Sequence, residues 1–355
     1  MKKALSIFLV TLFIFASFSG CARRESADVH VFYYTYSDTY ISTVRSALDK
    51  ALSAAGISYQ DHDSGNSQTT QTEQVQTAIT KGAKLIAVNI VTTGSDDAAS
   101  GIITLAKNAG IPVIFFNREV SSDIVNSYDK CVFIGTDSAE AGYLQGDMIG
   151  DYLVKNYEKT DLNGDGKISY VMFMGEKGNN EAIYRTEYSV LNANKKLENA
   201  GLPALEFYDS ANKDKYLLDR EGKWSAQAAN DYMNTILSSY STAGNNMVEL
   251  IICNNDGMAE GAISALNAAG YNTGANGSVT IPVFGVDATS AARELIKAGK
   301  MTGTIKQDGA AMADAIIDVA ENALEGDELL DDMDDYTIDS DSAKLRISYS
   351  VYLGE

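Results

Sequence analysis

The strongest constraint on this chain is a strand-then-helix alternation that runs through it twice. Val29–Tyr34 is a β-branched and aromatic run. Asp38 or Thr39 can cap a helix with Ile41, Val44, Leu48 and Leu52 at helical spacing and Gly56 as its stop. A polar stretch at 61–71 leads to a helix over about 74–81, a strand at Leu85–Val91, a helix at Asp97–Asn108 and a strand at Ile111–Phe116. The pattern restarts with strands at Tyr170–Met174, Val248–Cys253 and Ile281–Val286, interleaved with helices near 181–199, 224–239 and 256–269. After Lys306 come a helix over about 310–324, an acidic run and a final strand, Leu345–Val351. Such alternation dictates βαβ units, parallel sheets and right-handed crossovers. GIPVIFFN (110–117) and TIPVFGVD (280–287) read as one element used once in each half. The expected fold is therefore α/β, two Rossmann-like lobes with a cleft between them.

A length of 355 residues suits two domains of ordinary size. The formal charge of −20 leaves no basic stripe to neutralise phosphates, which excludes a nucleic-acid partner. With His30 and His62 the only histidines, no zinc cluster or serine–histidine dyad can be assembled, and most hydrolytic chemistry is disfavoured. Cys131 and Cys253 lie inside apolar strand runs and read as buried small hydrophobes rather than a disulfide. Lys2, Lys3 and the apolar residues 4–18 form a secretory leader too short to span a bilayer, giving a signal peptide over 1–20. Ser19-Gly20-Cys21 resembles a bacterial lipobox, so Cys21 is the expected lipidation site and 21–28 the tether; the alternative is an ordinary leader with an incidental cysteine. The protein is then extracytoplasmic, held to the membrane only by lipid.

Polar groups cluster just past the strand ends. Tyr36, Asp38 and Tyr40 follow the first strand; Asn117, Asn255 with Asp256, and Asp287 follow later ones. Open parallel sheets bind ligands outside the carboxyl ends of their strands. Amides and carboxylates gathered there suit hydrogen bonding to a small polyol. Asp38 and Asp287 could also cap the helices that follow, and Asp256 reads as a cap.

A second motif has metal-ligand spacing. Asp161, Asn163 and Asp165 fall at positions 1, 3 and 5 of an EF-hand loop, Gly166 at the sharp turn, the Lys167 carbonyl at 7 and Ser169 at 9. Position 12 is Met172 rather than a glutamate, so either a remote carboxylate completes a Ca²⁺ shell or the loop is an Asx-rich turn. The eight carboxylates of GDELLDDMDDYTIDSDS (326–342) read as a solvated connection.

Together, YSDTYISTVR (36–45), VIFFNRE (113–119), YDKCVFIGTDSAEAGYLQGD (128–147), DLNGDGKISYV (161–171), GEKGNNEAIYR (175–185), KWSAQA (223–228), ICNNDGMAEGA (252–262) and PVFGVDA (282–288) resemble the periplasmic galactose/glucose-binding proteins of sugar ABC transporters. The resemblance covers about 29–352 and implies the type I periplasmic binding fold with a three-segment hinge near Asp137, Gln307–Asp308 and Arg346. The lobes would be 29–136 plus 309–345, and 138–307 plus 347–355 with the calcium loop. It implies a sugar site of Asp38, Asn117, Arg185, Trp224, Asn255 and Asp287, identical in type to the family's residues. Tyr40 stands where the family usually has Phe, Asn179 for His, Glu181 for Asp and Gln307 for Asn. Tyr40 and Trp224 would sandwich a pyranose while carboxylates, amides and the Arg fork satisfy its hydroxyl edge. Glu249 would be the distant calcium ligand.

The implied function is non-enzymatic: capture of a monosaccharide, glucose and/or galactose, by hinge closure and delivery to an ABC permease. Two alternatives share the lobes, a sugar receptor for a chemoreceptor or sensor kinase and a binder of another sugar such as a pentose. A glycosidase would need opposed carboxylates around one bond, for which Asp38 and Asp287 are the candidates.

Overall fold

The computed structural model describes residues 27–354. The leader, Cys21 and most of the tether lie outside the described residues. The first lobe is built from β1 (Val29–Tyr33), α1 (Thr39–Ala55), β2 (Tyr59–Asp63), α2 (Gln68–Lys81), β3 (Leu85–Val88), α3 (Asp97–Ala109), β4 (Val113–Phe116), α4 (Ser122–Asn126) and β5 (Cys131–Gly135). The chain then crosses to the second lobe through 136–137. There it forms α5 (Ser138–Thr160), β6 (Ser169–Met174), α6 (Asn180–Asn199), β7 (Glu206–Phe207), β8 (Leu217–Leu218), α7 (Ala226–Leu237), β9 (Leu250–Cys253), α8 (Asp256–Ala268), β10 (Val283–Asp287), α9 (Ser290–Lys297) and β11 (Gly303–Lys306). It returns through 307–308 for α10 (Gly309–Glu325), β12 (Thr337–Ile338) and β13 (Lys344–Arg346), and crosses once more to end in β14 (Ser350–Tyr352).

One sheet runs β12-β13-β5-β4-β3-β1-β2 and the other β14-β11-β10-β9-β6-β7, with β8 beside β6. All pairings are parallel except β12 with β13 and β14 with β11. Central strands such as Leu85–Val88, Val113–Phe116 and Leu250–Cys253 are buried along their whole length, as parallel strands covered by helices on both faces must be. Cys131 and Cys253 are buried, free and in different sheets.

Four features differ from the sequence expectation. The run Leu345–Val351 is two strands, not one: β13 pairs with β5 of the first sheet and β14 with β11 of the second. Arg346 belongs to β13, opposite Gly135, so the third crossing is 347–349. The edge strand β2 falls in YQDHD, whose polar residues mask its extended backbone.

The fourth difference is α5, a 23-residue helix whose apolar pattern is broken by Gly142, Gly146 and Gly150. These glycines let α6 approach closely. A Cβ on Gly146 would lie 2.6 Å from the Asn192 Cβ and 2.7 Å from the Ser189 carbonyl oxygen. Gly146→Ala must force the helices apart, with an expected loss of about 1–3 kcal/mol in urea unfolding.

Asp61 on β2 lies beside Asp49 of α1. Partial burial and the neighbouring carboxylate push its pKa up from 3.8 to about 7. The folded chain thus holds a proton that the unfolded chain releases. This contribution to stability is complete below about pH 4 and is lost as pH rises through about 7. Asp61→Asn is expected to flatten the fall in stability between pH 4 and 8, measured by urea midpoints.

Candidate functional site

A small cavity lies between the lobes at the carboxyl ends of both sheets, the place where open parallel sheets bind their ligands. Its lining includes all ten residues expected from sequence: Asp38, Tyr40, Asn117, Asn179, Glu181, Arg185, Trp224, Asn255, Asp287 and Gln307. Tyr34, Ile41 and Arg118 complete it. Tyr36, grouped with these residues by sequence, does not line it; its ring lies under Arg45, 3.9 Å from the guanidinium carbon.

The first lobe presents one wall. Asp38 caps α1: its Oδ1 accepts from the Ile41 N–H at 2.8 Å and its Oδ2 from the Tyr34 hydroxyl at 2.7 Å. Cap and cavity-lining roles therefore coexist in this carboxylate. Asn117 follows β4 with φ 60, a left-handed backbone that asparagine tolerates better than most residues. Its Oδ1 accepts from the Asn89 Nδ2 at 2.9 Å. Asn89 is fully buried and also accepts from the Tyr34 N–H, so it braces two cavity-lining residues.

The second lobe presents the other wall. Asn179 caps α6, accepting from the Ala182 N–H at 3.1 Å, which brings Glu181 and Arg185 of the first turns to the cavity. Arg185 is 4% exposed. It donates to the Asn254 carbonyl at 2.9 Å, the Tyr349 hydroxyl at 2.8 Å and the Gln307 Oε1 at 3.4 Å. Burial opposes its charge, but Tyr349, Asp287 and Glu181 together hold it protonated. Burial pushes the Glu181 and Asp287 carboxyls above their ordinary range, offset in part by Arg185.

Trp224 is buried against Gly175, where a Cβ would stand 2.2 Å from the indole ring, so only glycine leaves room for it. Asn255, not Asp256, caps α8: its Oδ1 accepts from the Met258 N–H and its Nδ2 donates to the Trp224 carbonyl at 3.2 Å. Asp256 is fully buried instead, accepting from the Thr304 hydroxyl at 2.6 Å and the Thr289 N–H at 2.8 Å. Asp287 does not cap α9; Thr289 does.

Five buried polar atoms of cavity-lining residues have no hydrogen-bond partner: the Tyr40 hydroxyl, Arg118 Nε, Glu181 Oε1, Arg185 Nε and Gln307 Nε2. An unpaired buried polar group costs about 1–3 kcal/mol, so their concentration here marks a place built for hydroxyl-bearing groups.

The loop after α5 is a separate polar site. Asp161 accepts from the backbone N–H groups of Gly164, Asp165 and Gly166, and Asp165 from that of Lys167. Glu249, fully buried just ahead of β9, reaches into the same loop. Its Oε1 accepts from the Leu162 and Asn163 N–H groups at 2.8 and 3.3 Å, and its Oε2 from the Ser169 N–H and hydroxyl at 2.9 and 3.0 Å. Among the described residues, no three acidic, histidine or cysteine side chains are gathered as a ready metal cluster. The donors of this loop are nevertheless all oxygens, as a hard cation requires. No helix of the described residues is long and apolar enough to cross a membrane.

Residues 29–328 match the family model of the periplasmic binding protein domain. The chain is 34% identical over 327 residues, 92% of its own length and 90% of the relative's, to the D-galactose/methyl-galactoside binding periplasmic protein MglB of Haemophilus influenzae. It is 27% identical over 281 residues, 78% of this chain and 72% of the relative, to the multiple sugar-binding periplasmic receptor ChvE of Rhizobium radiobacter. In fold it is similar to an ABC transporter solute-binding protein from Clostridium phytofermentans with bound β-D-glucose, at TM-score 0.70, 22% identity and coverage of 92% and 94% of the two chains. The matched region takes in both lobes and the cavity between them, and the chain belongs to the periplasmic binding protein family.

Proposed function

We propose that this protein is an extracytoplasmic sugar receptor of an ABC transporter that captures a monosaccharide, glucose and/or galactose, between its lobes. The observation that carries this reading is the cavity. Tyr40 and Trp224 supply aromatic faces, and unpartnered polar atoms of Tyr40, Glu181, Arg185 and Gln307 surround the space. A pyranose matches this arrangement, with C–H faces for the rings and hydroxyls for the amides, guanidinium and carboxylates. The galactoside-binding and multiple-sugar-binding relatives support the same class. No catalytic step is involved: a sugar that touches both lobes stabilises the closed state, and that state docks on the permease.

Asn179, Glu181 and Gln307 set the choice of sugar. Asn179 spends its Oδ1 on the α6 cap and its Nδ2 on Thr93 of the opposite lobe at 3.4 Å, so it favours closure as much as ligand recognition. The Asp161–Ser169 loop with Glu249 would hold a structural Ca²⁺, and Cys21 would carry the lipid anchor. The same closed form could be read by a chemoreceptor.

Trp224 is the only tryptophan in the chain, so its fluorescence reports on this cavity. Titrating residues 22–355 with glucose, galactose, xylose and ribose is expected to give a saturable change with a hexose. A response to pentose alone would reassign the sugar. No response with an unmoved melting temperature would remove the sugar reading.

A further inference from the structure

We infer that Arg118 and Glu176 form an interlobe latch that positions the Trp224 ring, so that lobe closure and completion of the stacking wall are one event. Its consequence for affinity rests on the sugar-receptor reading; the latch itself rests on the geometry that follows. Arg118 directly follows Asn117 at the end of β4 in the first lobe and is 4% exposed. Its Nη2 donates to both Glu176 oxygens at 2.8 and 2.6 Å and to the Val91 carbonyl at 2.9 Å. Its guanidinium carbon lies 4.3 Å from the Tyr34 ring centroid.

Glu176 follows β6 in the second lobe, next to the Gly175 that makes room for Trp224. Its Oε2, the oxygen closest to Arg118, also accepts from the Trp224 Nε1–H at 3.2 Å. One carboxylate oxygen therefore touches the facing lobe and the aromatic wall at once. Trp224 needs such a tie, because its own backbone sits at φ 55, a left-handed conformation unfavourable for a bulky residue. Its carbonyl is held by Asn255 within the same lobe. Glu176 is the contact to Trp224 that changes when the lobes part: opening removes its Arg118 partner and frees the carboxylate to take up water.

Truncating one partner leaves the other charge uncompensated in the closed state, so a change on either side of the pair should disfavour closure. Arg118 and Glu176 act here as positioning residues.

The test uses residues 22–355 with fluorophores on exposed positions of each lobe and Trp224 as an internal reporter. Glu176→Gln and Arg118→Met are each expected to weaken sugar binding by at least about 10-fold. The double variant should be little worse than the poorer single one. Arg118→Lys, which keeps the charge, should recover part of the loss and serves where Arg118→Met does not fold. Without sugar, both single variants should sample wider lobe separations, and Arg118→Met, whose side chain reaches Trp224 only through Glu176, should alter Trp224 emission, which a pair with no hold on the ring would not do. Additive affinity losses, or unchanged lobe separation and emission, would overturn the latch. If the native chain binds no monosaccharide, the sugar reading fails on its own, while the sugar-free separation and emission still decide the latch.

Discussion

Replacing Arg185 with Met is expected to raise the sugar dissociation constant by about 100- to 1,000-fold. The guanidinium is buried between Glu181 and Asp287, two carboxyls that burial already pushes toward the protonated form. Removing the cation deletes charge-assisted hydrogen bonds and leaves those carboxyls uncompensated. Breaking a buried charge pair from one side costs about 3–5 kcal/mol, and each 1.4 kcal/mol is about a factor of 10 in affinity. Methionine fills similar volume, so packing against Trp224 and Tyr349, whose ring centroids lie 5.7 and 5.8 Å from the guanidinium carbon, is largely retained. Arg185→Lys should fall between, because a point charge cannot serve the Asn254 carbonyl, Gln307 and Tyr349 together. Calorimetric titration of the three proteins checks the order. A change within threefold for Arg185→Met would mean that the guanidinium does not face the ligand.

The parts of this architecture legible in the sequence are those whose burial leaves a local pattern. Val113–Phe116 and Leu250–Cys253 are buried on both faces and read as uninterrupted apolar runs. The polar edge strand at Tyr59–Asp63 has solvent beside it and no such pattern. The small residues that let α5 and α6 approach remove the apolar stripe by which α5 would be recognised. The split of Leu345–Val351 is of another kind: both halves are extended, and only the position of the two sheets decides that each half pairs in a different lobe. Within the cavity, residues placed just past strand ends could be found because strand ends define the cleft. Arg118 has the same signal, a charge one residue past Asn117, yet its role depends on Glu176 from the other half of the chain. Asp256 shows the opposite limit, since an acidic residue at a helix start resembles a cap until Asn255 is seen to occupy that place.

Glu249→Ala is expected to destabilise the protein by about 2–4 kcal/mol. Three backbone N–H groups, of Leu162, Asn163 and Ser169, and the Ser169 hydroxyl all end on this carboxylate. Each unsatisfied donor costs about 1–3 kcal/mol when buried and less where water can reach the part-exposed loop. The melting temperature should fall by roughly 5–15 °C. Glu249→Gln, which keeps one carbonyl acceptor, should lose about half as much. Calcium adds a second arm to the same experiment. With the ion bound by the Asp161–Ser169 loop and Glu249, chelation should lower the melting temperature of the native protein and have little further effect on Glu249→Ala. Should chelation leave the native melting temperature unmoved while the substitution still destabilises, Glu249 is a hydrogen-bonded closure of the loop by itself, and the metal proposal falls. The two outcomes separate because hydrogen bonds to backbone N–H groups survive removal of the ion, whereas coordination does not.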